Sequence, residues 1–102
     1  IYDLMVVVNN LLDFSHKHVD DAYRPKWTNY VAGPLSQMLY LAYRSKDKRV
    51  LEDTKQFVKE HPDCCYVFTC SRSKFLRALG YISKILGGNL FAVYGILYKL
   101  RY

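Results

Sequence analysis

Residues 74–102 have the sequence KFLRALGYISKILGGNLFAVYGILYKLRY, and the spacing within this stretch decides the class of fold. Apolar side chains recur three or four residues apart, which places them along one line of a helix: Phe75, Leu79, Ile82 and Leu86. A second line is basic: Lys74, Arg77, Tyr81 and Lys84. Gly87-Gly88 ends this helix, and Asn89 caps a last helix that begins at Leu90. The sequence therefore predicts a C-terminal pair of basic amphipathic helices.

Residues 1–63 predict three further helices joined by short polar links. Apolar residues at helical spacing cover residues 1–18, a second helix starts at Pro25 and runs to about residue 44, and a third follows Asp47 as its N-cap and runs to about residue 60. Pro34 lies inside the second helix and cannot donate to the carbonyl of Tyr30. We therefore expect a kink or a break at Pro34, or a new helix that starts there.

Residues 64–70, CCYVFTC, have strand-like composition without an obvious partner strand, so they are predicted to be an extended linker. The expected fold is all-α, with about five helices in a small bundle that has a basic amphipathic C-terminal end. Residues 1–63 form a helical core unit, and residues 64–102 hold the linker and the basic helices, within one domain overall. Three cysteines, two of them adjacent, make a poor disulfide framework and indicate reduced thiols.

Composition and charge restrict the class of function. A hydrophobic fraction of 51% is enough to build a core, so a disordered chain is excluded. The net charge of +6 lies entirely in residues 64–102, which hold six basic residues and no acidic one. The chain also begins at Ile1 and enters apolar sequence at once, which predicts that it is a piece of a longer protein.

An anionic membrane surface is the partner that this charge distribution favours. A helix that is apolar on one side and cationic on the other can lie in the interface of a bilayer. The uncharged run between Lys84 and Lys99 spans about 21 Å as a helix, which is shorter than the roughly 30 Å needed to cross. We therefore expect contact with a membrane without crossing it. The predicted membrane or partner contacts are Arg72, Lys74, Phe75, Arg77, Tyr81, Lys84, Phe91, Tyr94, Tyr98, Lys99 and Arg101.

Other interpretations of the same residues are weaker. A plain core helix with a basic outer face would also fit, whereas nucleic acid is disfavoured because the basic residues are sparse and carry no recognised motif. His61 with Cys64, Cys65 and Cys70 lacks the two separated ligand pairs of a zinc site. His16 and His18 near Asp20-Asp21 lie in a polar link without a nucleophile, so the sequence predicts no catalytic, cofactor or metal residue in this chain.

The order of these features resembles the C-terminal helical region of bacterial family-2 (GT-A) glycosyltransferases of surface-polysaccharide synthesis. Three stretches carry the resemblance: IYDLMVVVNNLLDFSHKH, KWTNYVAGPLSQMLYLAYRS and KFLRALGYISKILGGNLFAVYGILYKLRY. The resemblance implies an upstream catalytic domain that uses a nucleotide sugar and a divalent metal, with a lipid-linked or glycan acceptor. The family's D-x-D motif has no counterpart here, because Asp20-Asp21 is not D-x-D and follows a helix.

Two hypotheses of different classes follow. In the first, the chain is the accessory, membrane-associating region of such a glycosyltransferase, peripheral at the cytoplasmic face of the inner membrane and packed on its upstream domain. In the second, it is a non-enzymatic helical interaction module, whose apolar surface between Phe75 and Leu100 docks a protein partner or forms a homo-oligomer. Binding to anionic vesicles distinguishes the first from the second, which predicts association in solution without lipid.

Overall fold

The computed structural model describes residues 1–101, and these form six α-helices. The helices are α1 (Tyr2–His18), α2 (Arg24–Ser45), α3 (Lys48–Glu60), α4 (Asp63–Thr69), α5 (Lys74–Ile85) and α6 (Leu90–Arg101). The predicted all-α class is confirmed for the described residues, which contain no strand. The number of helices is six, where about five were expected. The additional helix is α4.

The first two helices pack against each other along their apolar faces. Val8 and Leu12 of α1 are buried, and the indole Nε1 of Trp27 in α2 donates a hydrogen bond of 3.3 Å to the carbonyl of Leu11. The guanidinium of Arg24 donates to the carbonyl of Val19 over 2.8 Å and pairs with Asp21. A cation is favourable beside the carbonyl end of a helix, so Arg24 stabilises the turn between α1 and α2.

Helix α2 runs without a break through Pro34, so the expected break and the alternative helix start at that residue are wrong. Proline removes only one backbone hydrogen bond, and the residues around it hold the helix by burial: Val31, Leu35, Met38 and Leu39 have no exposed surface. Gly33 also lacks the Cβ that would clash with the ring of a following proline in helical conformation. Tertiary packing around Pro34 therefore outweighs the cost of placing a proline inside the helix.

The predicted boundaries of α3 are confirmed. The carboxylate of Asp47 accepts hydrogen bonds from the amides of Arg49 (2.9 Å) and Val50 (3.2 Å), which is the geometry of an N-cap. Lys46 ends α2 in the left-handed conformation, with φ of 55°. The helix ends before Pro62, as expected.

The predicted extended linker at residues 64–70 is wrong, because residues 63–69 form α4. Asp63 lies in the first turn of the helix, where a carboxylate is favourable. Cys64, Cys65, Val67 and Phe68 are all buried, and α4 packs against both α2 and α5. Burial of these four side chains outweighs the strand propensity of the segment.

A single apolar cluster draws on both halves of the chain. Helix α2 lies at its centre and packs against α1, α3, α4 and α6. The largest side chains without exposed surface are Phe68, Leu35, Met38, Leu39 and Leu90. Helices α5 and α6 close the cluster from the C-terminal side through Leu79, Leu90 and Val93. This arrangement fixes which faces of α5 and α6 remain on the surface.

Candidate functional site

The buried face of α5 is the face with small residues. Ser73 caps the helix by accepting from the amide of Leu76, and Leu79, Gly80 and Ser83 are buried against the rest of the protein. A Cβ at Gly80 would lie 2.8 Å from the amide nitrogen of Thr69 and 2.9 Å from the carbonyl oxygen of Cys65. Glycine is therefore needed for α5 to approach the backbone of α4 this closely.

The apolar line predicted on α5 is largely left on the surface. Leu79 is buried, but Phe75, Ile82 and Leu86 are exposed by 44%, 47% and 58%, and Ile85 is exposed by 81%. In α6, Ile96 and Leu100 are exposed by 62% and 80%. Single exposed apolar residues are ordinary, whereas six large ones within residues 75–100 make this segment a candidate interaction surface.

These two helices form one antiparallel hairpin. Gly87 and Gly88 have φ of 80° and 83°, which turns the chain back sharply where other residues would be strained. At the open end, the guanidinium of Arg101 lies 5.9 Å from the centre of the Phe75 ring. We call Phe75, Ile82, Ile85, Leu86, Ile96 and Leu100 the apolar surface of this hairpin.

Basic side chains border the apolar surface. Lys74, Arg77 and Lys84 of α5 are exposed, as are Tyr81 of the same helix, Arg72 before it and Lys99 of α6. The ion pairs of residues 1–101 lie elsewhere: His16–Asp63, Lys17–Asp13 and Arg24–Asp21. The charges of Lys74, Arg77, Lys84 and Lys99 are therefore not neutralised by carboxylates and create a positive potential at this end of the molecule.

Three aromatic residues predicted as surface contacts pack inward instead. Phe91 and Tyr98 are partly buried, Tyr94 is 8% exposed, and all three rings lie within 5.8 Å of the Tyr43 ring in α2, measured between centroids. The Tyr43 hydroxyl donates to the carbonyl of Phe91 over 2.7 Å. Burial, with a smaller contribution from Tyr94, raises the pKa of Tyr43 to about 12. This cluster joins α6 to α2.

The other candidate side chains are engaged in local contacts. His16 pairs with Asp63 at 2.6 Å, and His61 contacts the carbonyl of Phe57 through Nδ1 and the side chain of Asn9 through Nε2. Within residues 1–101, no group of three or more His, Cys, Asp or Glu side chains is placed to hold a metal ion.

The cysteines differ in burial and therefore in reactivity. Cys64 and Cys65 are buried in α4, whereas Cys70 is partly exposed at its end. Burial, with smaller contributions from Cys65 and Asp63, raises the pKa of Cys64 to about 12, and burial also raises the pKa of Cys65. Because the thiolate is the nucleophile, these two buried thiols are inert at neutral pH.

We expect iodoacetamide at pH 8 to alkylate Cys70 at least ~100-fold faster than Cys64 in the folded protein, as measured by mass spectrometry of peptides. In denaturant the alkylation rates of the three cysteines should converge, which serves as the control. Equal alkylation of the cysteines in the folded protein would contradict this assignment.

The raised pKa of Cys64 also makes the stability of the protein depend on pH, because the folded state holds the thiol proton more tightly than the unfolded state does. The contribution of Cys64 to the free energy of unfolding is complete below pH 9 and falls by about 1.4 kcal/mol per pH unit as the pH rises from 9 to 12.

Sequence patterns located the basic side chains of the hairpin but not its whole apolar surface. Ile85, Ile96 and Leu100 were not singled out, although their exposure exceeds that of Phe75. The available signal for two of them was their position on the helix: Ile85 lies opposite the small residues Gly80 and Ser83 on α5, and Leu100 lies on the side of α6 away from Gly95. The face of a helix with small residues can pack closely against a neighbouring helix, so the opposite face remains exposed to solvent.

The helices of residues 1–101 are too short or too polar to cross a bilayer. Comparison with protein-family models, curated proteins and solved structures found no match.

Proposed function

We propose that the hairpin of α5 and α6 binds the surface of an anionic membrane. The observation that carries this proposal is the combination, on one hairpin, of six exposed apolar side chains with the exposed basic residues Lys74, Arg77, Lys84 and Lys99. Apolar side chains enter the boundary between headgroups and acyl chains, while lysine and arginine attract anionic lipid. The whole excess charge of the chain lies in residues 64–102, which points to the same surface.

The test is co-sedimentation with vesicles of phosphatidylserine and phosphatidylcholine. The triple variant Lys74→Glu/Arg77→Glu/Lys84→Glu should bind at least ~100-fold more weakly, because each basic residue at the surface contributes about 1 kcal/mol. Binding of the unchanged protein should weaken as salt rises. The matched control is Lys48→Glu/Lys55→Glu/Lys59→Glu, which makes the same charge change on the exposed side of α3.

The apolar part of the surface is tested separately. Ile85→Asn/Leu100→Asn removes its two most exposed side chains and should also release the protein from vesicles, whereas Val6→Asn on α1 should not. Equal binding to vesicles of phosphatidylcholine alone, or equal losses in the α3 control, would contradict the proposal. A concentration-dependent oligomer without lipid, abolished by the double variant, would support the interaction module instead.

The glycosyltransferase parent stays a prediction, since it rests on the resemblance of sequence alone. In such a parent, the hairpin would hold the enzyme at the cytoplasmic membrane face, and α1–α4 would pack on the catalytic domain. The coding frame upstream of Ile1 tests this hypothesis. An α/β domain of about 200 residues with a D-x-D after a strand would support it, and a start codon at Ile1 would contradict it.

A further inference from the structure

The cations of α5 lie on one flank of the helix. At about 100° per residue, Lys74, Arg77 and Lys84 fall within an arc of about 80°, and all three are exposed. Tyr81 lies inside the same arc, one turn after Arg77, and its side chain is 57% exposed. We call these four residues the basic flank of α5.

The exposed apolar side chains of α5 occupy the adjoining arc, which is about 100° wide. They are Phe75, Ile82, Ile85 and Leu86. The remaining side of the helix packs against α4, where Gly80 allows close contact between the two backbones. When the apolar side chains enter the acyl region of a bilayer, the basic flank therefore lies beside them at the level of the headgroups.

The members of the basic flank are close enough to contact one headgroup together. Arg77 lies three residues after Lys74 and four before Tyr81, and side chains at these spacings have Cβ atoms about 5–6 Å apart. Arginine presents a planar fork of N–H donors, lysine an ammonium group, and tyrosine a hydroxyl that can donate. Residues 64–102 contain no acidic residue, so no carboxylate of α5 or α6 competes for these donors.

A phosphomonoester matches this set of donors better than the headgroup of phosphatidylserine does. A phosphomonoester carries roughly −1.5 to −2 charges at pH 7 and presents three acceptor oxygens. Arginine can bind two of these oxygens as a bidentate pair, which leaves the third for a neighbouring donor. Phosphatidylserine instead has a phosphodiester, and its own ammonium group would lie among the cations of the protein.

We propose that the hairpin recognises lipids with a phosphomonoester headgroup, such as phosphatidic acid, through Arg77 and Tyr81. Lys74 and Lys84 lie before and after this pair along the helix and attract any anionic surface. The donors of Arg77 and Tyr81 supply the preference among anionic lipids. This inference rests on the proposed membrane function and adds the class of lipid to it.

The experiment compares two kinds of phosphatidylcholine vesicle, one with phosphatidic acid and one with phosphatidylserine, adjusted to the same zeta potential. The unchanged protein should bind the phosphatidic acid vesicles at least ~10-fold more tightly, because only the phosphomonoester uses the bidentate pair and the tyrosine hydroxyl. Equal affinity for both kinds would overturn this proposal and leave the proposed membrane function standing. Absence of binding to either kind would contradict the membrane function itself.

Arg77→Lys keeps the charge and removes the fork of donors. It should lower the preference for phosphatidic acid about 5-fold and leave binding to phosphatidylserine within about 2-fold of the unchanged protein. Tyr81→Phe keeps the ring, removes the hydroxyl and should lower the preference about 3-fold. Both side chains are exposed, so folding is not at risk.

The matched control is Arg49→Lys, which makes the same change at an exposed position of α3. It should keep the full preference for phosphatidic acid. A full preference in Arg77→Lys, or an equal loss of preference in Arg49→Lys, would overturn the assignment of the headgroup to the basic flank.

Discussion

Gly80→Ala is expected to lower the free energy of unfolding by about 3 kcal/mol, although alanine is the better helix former. The added methyl group would lie within 3.0 Å of three backbone atoms of α4, which belong to Cys65, Phe68 and Thr69. Backbone atoms cannot rotate aside as the end of a side chain can, so α5 must move away from α4. Denaturation in urea, followed by circular dichroism, measures the loss.

Gly33→Ala is the control for this result, because the substitution is identical and the position is also within a helix. The methyl group meets no atom there, and the gain in helix propensity opposes the cost of a Cβ before Pro34. We expect a change within about 1 kcal/mol of zero. If the two variants were equally stable, the close approach of α4 and α5 would be wrong.

Phe68→Ala is expected to cost about 4 kcal/mol, since the ring has no exposed surface and its loss leaves a cavity in the centre of the cluster. The free energy of unfolding of a domain of this size is roughly 5–15 kcal/mol. If the unchanged protein lies near 5 kcal/mol, the Phe68→Ala variant should be partly unfolded at 37 °C. Thermal denaturation followed by calorimetry measures the shift in midpoint. Each kcal/mol lowers the midpoint by about 4–8 °C.

Phe75→Ala is the matched surface variant, and it should change stability by less than about 1 kcal/mol because the Phe75 side chain is already 44% exposed. It should nevertheless weaken binding to vesicles, since Phe75 belongs to the apolar surface of the hairpin. The pair thus separates folding from binding with the same chemical change. A large loss of stability in Phe75→Ala would place this ring in the core and contradict its assignment to the surface.

Local signals predicted the helices that have strong caps and clear periodicity. Asp47 was expected as a cap, and its carboxylate accepts backbone hydrogen bonds at the start of α3. The signal failed in α4, where Val67, Phe68 and Thr69 favour a strand when taken alone. Contact with α2 and α5 decides the conformation of that segment, and such contacts join residues far apart in the sequence.

Periodicity also could not decide which side of α5 faces inward. The line through Phe75 and Ile82 is the more hydrophobic, yet the buried side contains Gly80 and Ser83. The side of α5 that faces inward is determined by the close contact between the backbones of α5 and α4 at Gly80. The hydrophobicity of the side chains does not predict this contact. The inward position of Phe91, Tyr94 and Tyr98 was also missed, because it depends on contacts with Tyr43 of α2, which is far away in the sequence.

The pairing of α1 with α2 and of α4 with α5 has a consequence for how the chain acquires its structure. Helices that pack on their immediate neighbours form contacts of short sequence separation, and proteins of this type fold within microseconds to milliseconds. Synthesis on the ribosome completes the first pair before the second has emerged. The side of α2 that later meets α4 and α6 is then uncovered, so the nascent chain passes through an interval in which this apolar strip is open to chaperones and to aggregation.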